Sequence, residues 1–138
     1  ENAAAYEAGA KAFKAELSAR MKQWESLLRP HRGTKVVVFH RSWSYFLGWA
    51  GYVSAGELEP KPGIEPSPRH IAELIARVRG QGVKLVLQES FYPQNLSKLF
   101  AKKAGARLLV VPTMVGAAGT RSYLELMDKM VRTVTSAR

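Results

Sequence analysis

Residues 35–40 read KVVVFH, and this short run is the clearest structural signal in the chain. From Val36 to Phe39 four apolar residues stand in a row, which is typical of a parallel strand that is covered on both faces. His40 follows at the carboxyl end of this predicted strand. Open α/β sheets bind ligands at that edge, and neutral imidazole is the commonest metal ligand in proteins. The local pattern leaves two interpretations of His40 open, a hydrogen-bonded histidine in a strand-to-helix turn and a metal ligand.

Strands and helices alternate after this first strand. The sequence predicts further strands at 52–55, 83–87 and 107–111, a short helix or turn at 43–49, and helices at 68–79, 93–104 and 121–135. Alternation of this kind gives a parallel sheet with right-handed crossover connections. We therefore expect an α/β fold, a three-layer lobe in which a roughly four-stranded, mainly parallel sheet is flanked by helices.

One long amphipathic helix is predicted before this lobe. Apolar residues recur at spacings of three and four and form a single stripe, made of Tyr6, Ala10, Phe13, Leu17, Met21, Trp24 and Leu28. Pro30 and Gly33 end the helix. At a rise of 1.5 Å per residue it spans roughly 40 Å, more than the width of the lobe that follows. We expect residues 1–29 to form a spine helix, residues 30–138 to form the lobe, and one end of the stripe to have no partner within the chain.

Three strand ends meet at one edge of the predicted sheet. His40 ends the first strand, Glu89 lies just past the third, and the turn Pro112-Thr113-Met114 follows the last. Histidine, carboxylate and oxygen donors together suit zinc, manganese or iron. Glu89 also has an ordinary alternative as a salt-bridging or helix-capping carboxylate. His31 and His70 are interpreted as surface residues.

Composition narrows the classes of function. The 138 residues are 46% hydrophobic and 23% charged, which describes an ordinary globular domain. Lys and Arg total 21 against 11 acidic residues, for a net charge of +10, but they are scattered and no nucleic-acid-binding motif accompanies them. We expect no nucleic acid partner, with a basic polyanion-binding module as an alternative. The sequence lacks a nucleophile elbow, a P-loop and a dinucleotide fingerprint, so we expect no enzyme. A stand-alone α/β ligand-binding or enzyme domain is the remaining alternative.

The order of several motifs resembles one known family. These motifs are NAAAY at 2–6, VVFH at 37–40 with Tyr45 and Phe46 after it, PGIEPSP at 62–68, Glu89, and YLELM at 123–127. In this order and spacing, the chain resembles the carboxyl-terminal half of the cluster A-I (TroA/ZnuA-like) solute-binding proteins of zinc and manganese ABC transporters. The resemblance covers essentially the whole chain.

The resemblance implies a particular architecture and location. Members of the family have two α/β lobes joined by one long rigid helix, and they hold the metal between the lobes. The chain would then be the carboxyl-terminal lobe with its spine helix, in the periplasm or on the extracellular face of a bacterial membrane. Its implied partners are an ABC transporter permease and a missing amino-terminal lobe, which would carry two histidine ligands. The uncovered apolar stripe adds the expectation of a homodimer through the spine helix.

The resemblance also assigns residues to the metal. His40 matches the family's carboxyl-lobe ligand, whereas the aspartate that usually follows the last strand is replaced by Thr113. Either water or Glu89 would complete this half of the site, so the predicted metal residues are His40 and Glu89. The expected ion is Zn²⁺, with Mn²⁺ and Fe²⁺ as alternatives. Because the site in this chain is incomplete, we expect the chain alone to bind zinc weakly.

Overall fold

The computed structural model describes residues 2–61 and 63–137. Glu1, Pro62 and Arg138 belong to the predicted domain ranges and to the proline-rich motif, and they lie outside the described residues. The helices are α1 (Ala3–Leu28), α2 (Ser44–Ala50), α3 (Pro68–Arg79), α4 (Asn95–Ala104) and α5 (Tyr123–Thr135). The strands are β1 (Lys35–Val38), β2 (Val53–Glu57), β3 (Leu85–Glu89) and β4 (Arg107–Val111).

The four strands form one sheet in the order β2-β1-β3-β4, and every neighbouring pair is parallel. Side chains alternate across it, so Val36 and Val38 enter one core while Val37 enters the other. The first core lies beneath α2, α5 and the carboxyl end of α1, and the second lies beneath α3 and α4. The predicted three-layer α/β fold is confirmed, and the sheet is entirely parallel.

Three strands occupy different residues from those predicted. The first, β1, lies one residue earlier than the predicted Val36–Phe39. The third strand begins at Leu85 because pairing with β4 starts where Leu85 meets Arg107, although Val83 before it is also buried. Glu89 is therefore the last residue of β3. The second strand extends to Glu57, beyond the predicted end at residue 55.

The paired strands β1 and β2 contain a β-bulge. Val36 pairs with Ser54, whereas Val37 pairs with Gly56, so one extra residue lies on β2. Beyond the bulge the two chains stay together, since the Glu59 N–H donates to the Phe39 carbonyl at 2.9 Å. The segment after β2 thus runs along β1 to the carboxyl edge of the sheet.

Three helices that follow β1 differ in detail from the prediction. Helix α2 lies one residue later than predicted, and α4 begins at Asn95 rather than at residue 93. In α4, Leu99 is 50% exposed, because Phe100, Ala101 and Ala104 occupy the face that packs on the sheet. Helix α5 begins at Tyr123, two residues later than predicted, where the Ser122 hydroxyl accepts from the Glu125 N–H. The Glu125 carboxylate accepts in turn from the Arg121 N–H, and this hydrogen bond lowers the pKa of Glu125. This is a capping arrangement.

Helix α1 joins the lobe only through its carboxyl half. Trp24 and Leu28 are each 2% exposed, while Tyr6 is 76% exposed. The Trp24 indole N–H donates to Asp128 on α5 at 2.6 Å, and Arg20 pairs with the same carboxylate. The prediction that one end of the stripe has no partner within the chain is confirmed for the described residues. Among these residues, no helix combines the length and the apolar character that a membrane crossing would need.

Candidate metal centre

His40 lies two residues past β1 at the carboxyl edge of the sheet and is 7% exposed. Its imidazole packs edge-on against the rings of Phe39 and Tyr92, with centroid separations of 4.7 and 4.5 Å. Among the described residues, neither ring nitrogen has a hydrogen-bond partner, although both nitrogens are buried. Buried polar groups are nearly always hydrogen-bonded, so this ring is unusual. Within the described residues no hydrogen bond accounts for the position of this ring, and its role as a metal ligand stays a prediction.

Glu89 ends β3, the strand next to β1, and is 4% exposed. The Ser42 hydroxyl donates to its Oε1 at 2.5 Å. Its Oε2 is buried without a hydrogen-bond partner in the part of the chain that the structure describes. The serine thus fixes the carboxylate and leaves one oxygen available to a ligand.

Thr113 lies two residues past β4, at the same edge of the sheet as the ends of β1 and β3. Its hydroxyl oxygen is also buried and unpartnered within the described ranges. Together with Ser42 and Glu89 it lines a cleft of about 330 Å³. The predicted meeting of three strand ends at one edge is confirmed, because β1, β3 and β4 are consecutive neighbours in the sheet.

The structure does not place His40 and Glu89 within ion-pair distance of each other. No ring nitrogen of His40 lies within 4.0 Å of a Glu89 carboxylate oxygen, both residues being among those described. The carboxylate beside His40 is Glu59, whose Oε2 is 3.7 Å from Nε2. Within residues 2–61 and 63–137, no group of three or more histidine, aspartate or glutamate side chains could hold a metal ion together.

Glu59 is the acidic neighbour of His40 that the sequence analysis missed. It follows β2 by two residues, within a proline-rich segment that the sequence analysis left without chemistry. Its Oε1 accepts from the Gly63 N–H at 2.7 Å, and its side chain is 13% exposed. An acidic residue soon after a strand that neighbours β1 could have indicated a ligand. The bulge that brings Glu59 level with His40 has no clear sequence signature.

His31 and His70, which were predicted to be surface residues, are half-buried in the structure. The Nε2 atom of His70 is 3.0 Å from the Glu57 carbonyl oxygen, so its imidazole has a hydrogen-bond partner. His31 stacks on Tyr52 with ring centroids 6.5 Å apart. Unlike His40, neither ring has a buried nitrogen without a hydrogen-bond partner among the described residues.

Comparison with solved structures finds the same fold in larger proteins. A mutant laminin-binding adhesin (Lmb) from Streptococcus agalactiae is 25% identical, with 92% of this chain and 48% of that chain covered and a TM-score of 0.77. The SBP FpvC from Pseudomonas aeruginosa in complex with Mn²⁺ is 25% identical, with 98% and 52% covered and a TM-score of 0.78. A crystal structure of ZnuA is 24% identical, with 98% and 50% covered and a TM-score of 0.79. Comparison with curated proteins finds no match.

The chain spans about half the length of each of these solved structures, in agreement with the single lobe that the sequence predicted. The family model described as zinc-uptake complex component A, periplasmic (ZnuA) matches residues 1–137, which is nearly the whole sequence. The fold, the position of His40 at the carboxyl edge of the sheet and the family model all agree. The chain belongs to the ZnuA family of periplasmic zinc-uptake components.

Proposed function

We propose that this chain is one lobe of a solute-binding protein that captures a divalent metal ion between two lobes and delivers it to an ABC importer. His40 carries the proposal, because both of its ring nitrogens are buried at the ligand-binding edge of the sheet without a hydrogen bond. Membership of a zinc-uptake family supports it. The protein would act in the periplasm or on the extracellular face of the membrane, as a binding protein rather than an enzyme.

The proposed ion is Zn²⁺, with Mn²⁺ and Fe²⁺ as alternatives. Imidazole nitrogens and carboxylate oxygens bind all three, and the sequence has no cysteine that would favour a thiolate site. The family description names zinc, and the similar FpvC structure is a complex with Mn²⁺. Whichever of the three ions binds, it would be the transported substrate of the protein.

We propose His40 as the imidazole ligand in this lobe, and we keep Glu89 as a proposed ligand through Oε2, the oxygen that Ser42 leaves free. The remaining ligands would come from an amino-terminal lobe. Residues 1–29 would serve as the spine between the lobes and residues 30–138 as the carboxyl-terminal lobe. The exposed half of α1 fits this division, since it has apolar side chains with no cover from the described part of the lobe.

Calorimetric titration of the chain with Zn²⁺ tests the proposal. We expect weak binding that falls about tenfold or more in His40→Ala, because an imidazole ligand is lost, whereas even outer-shell changes cost 10–100-fold. His31→Gln is the matched control, and we expect it to leave the zinc affinity unchanged. Nanomolar affinity that is unaffected by His40→Ala would contradict the assignment.

A further inference from the structure

His40 and Glu59 face each other across a gap that is too long for a hydrogen bond. The Nε2 and Oε2 atoms are 3.7 Å apart, whereas N–H···O bonds span about 2.7–3.2 Å. Two ligand atoms on one tetrahedral zinc ion, each about 2.0–2.2 Å from the metal, stand roughly 3.3–3.6 Å apart. The observed separation therefore lies close to the spacing of two ligands of one ion.

The Glu59 carboxylate is oriented for this role. Its Oε1 accepts from the Gly63 N–H at 2.7 Å, which directs Oε2 toward His40. Hydrogen bonds of this kind commonly orient the carboxylates that ligate metals. The two side chains are 9% and 13% exposed, so little solvent competes for them.

The β-bulge explains why Glu59 reaches this position. If the pairing of Lys35 with Val53 continued along both strands without the bulge, Leu58 would lie beside His40. The extra residue at the bulge advances the pairing by one, and the Glu59 N–H then bonds the carbonyl of Phe39, the residue before His40. A shift of one residue exchanges which side chains point to each face of a sheet. Bulges occur often beside functional sites, where they redirect a side chain.

We propose that Glu59 and His40 together bind the divalent metal ion in this lobe, with Glu59 as the carboxylate beside His40. The inference rests on the proposed metal-binding function and adds a ligand to it. The carboxylate oxygens of Glu89 lie more than 4.0 Å from the ring nitrogens of His40, and Ser42 holds one of these oxygens. Glu89 would therefore have to move to share the ion.

Competition of the chain with a chromophoric zinc chelator tests this assignment in the wild type and in His40→Ala, Glu59→Gln and Glu89→Gln. Glu65→Gln is the matched control, since Glu65 is an exposed carboxylate in the segment that follows Glu59. We expect His40→Ala and Glu59→Gln each to lower the zinc association constant about tenfold or more. Glu65→Gln should stay within about threefold of the wild type, and Glu89→Gln should lower the constant less than Glu59→Gln does. Thermal unfolding without metal checks that each variant folds.

A measurement on the unmodified chain avoids any effect of substitution on folding. Because the Gly63 N–H donates to Glu59, zinc binding should shift the Gly63 amide resonance in the NMR spectrum and leave that of Gly82, in the turn before β3, unmoved. A loss of affinity in His40→Ala but not in Glu59→Gln, with a static Gly63 signal, would overturn the role of Glu59 and leave the proposed function standing. Zinc binding that neither substitution weakens would overturn both.

Discussion

Gly56 lies at the bulge beside the candidate site, directly after the extra residue Ala55. Its φ is +146°, a conformation that L side chains rarely adopt. A Cβ atom at this position would lie 2.6 Å from Arg77 Nη2 and 2.7 Å from Leu74 Cδ1. The positive φ favours glycine, and a side chain here would also displace the ends of Arg77 and Leu74, so the position of Glu59 depends on this residue.

Replacing Gly56 with alanine should destabilise the fold and weaken metal binding together. We expect Gly56→Ala to lower the free energy of unfolding by about 1–3 kcal/mol, the usual cost of a strained backbone conformation. Urea denaturation measures this change, and zinc titration should show a reduced affinity because the bulge no longer aims Glu59 at His40.

Gly48→Ala provides the control for this prediction. Gly48 lies within helix α2, and nothing stands within 4 Å of its added Cβ. Alanine there should stabilise the chain by about 0.4–1 kcal/mol and leave zinc binding unchanged. Equal stabilities for the two variants would show that the bulge tolerates a side chain.

The residues of the candidate site were predictable to different degrees. His40 could be predicted because it follows an unambiguous apolar strand, and strand ends are where α/β sheets bind ligands. The partner of His40 could not, since a one-residue bulge decides whether Leu58 or Glu59 stands beside it. Spacing along the chain carries no information about that local change of register.

The elements were predictable where one signal acted alone. Ser67 and Pro68 place the start of α3 correctly, and the Ser67 hydroxyl accepts from the His70 N–H at 3.2 Å. The bounds of β3 were displaced by two residues because Val83 is buried without pairing, and apolar character cannot separate burial from pairing. The start of α5 was readable from Ser122 and Glu125 three residues later, a capping pattern that the prediction overlooked.

Tyr52 connects two elements across the first core. Its hydroxyl donates to the Val134 carbonyl near the end of α5 at 3.2 Å, and burial raises its pKa from 10.0 to about 12. A phenol with a raised pKa in the folded state stabilises the fold fully below pH 10. This contribution is lost as the pH rises through about 12, because the unfolded chain releases the proton first.

Tyr52→Phe should therefore change both the stability and its dependence on pH. At pH 7 we expect a loss of about 1 kcal/mol from the missing hydrogen bond. Between pH 10 and 12 the difference between the wild type and the variant should shrink, since only the wild type loses the stabilising neutral phenol at this position. Thermal unfolding across this range measures it, and a difference that stays constant with pH would contradict the assignment.

At the scale of the whole molecule, the exposed half of α1 continues into an aromatic groove. Tyr6 and Phe13 are 76% and 45% exposed, and Tyr45 at the groove is 94% exposed. The groove has a volume of about 410 Å³ and lies between α1, α2 and α5, where Leu17, Met21, Trp49 and Met127 also line it. Continuous apolar surface of this kind favours association.

We expect the isolated chain to form a homodimer through α1. Sedimentation velocity should show a concentration-dependent dimer for the wild type and a monomer for the double variant Tyr6→Glu, Phe13→Glu, because charge on the stripe opposes its burial. Ser18→Glu, on the exposed polar face of the same helix, should leave the dimer intact. A monomer at high concentration of the wild type would rule the dimer out.

The anchoring of α1 by Asp128 makes this helix a lever arm. Arg20 and Trp24 fix the helix on α5, and Leu17 packs on the core one turn before them. About 21 Å of helix extends from Leu17 to Ala3 with little further support from the described lobe. A tilt of about 5° at this fulcrum would move the far end by roughly 2 Å, as the helix length requires. A small rearrangement around Asp128 would thus displace the amino end of α1 by about the length of a metal–ligand bond. Any part of the protein that is attached to that end would move with it.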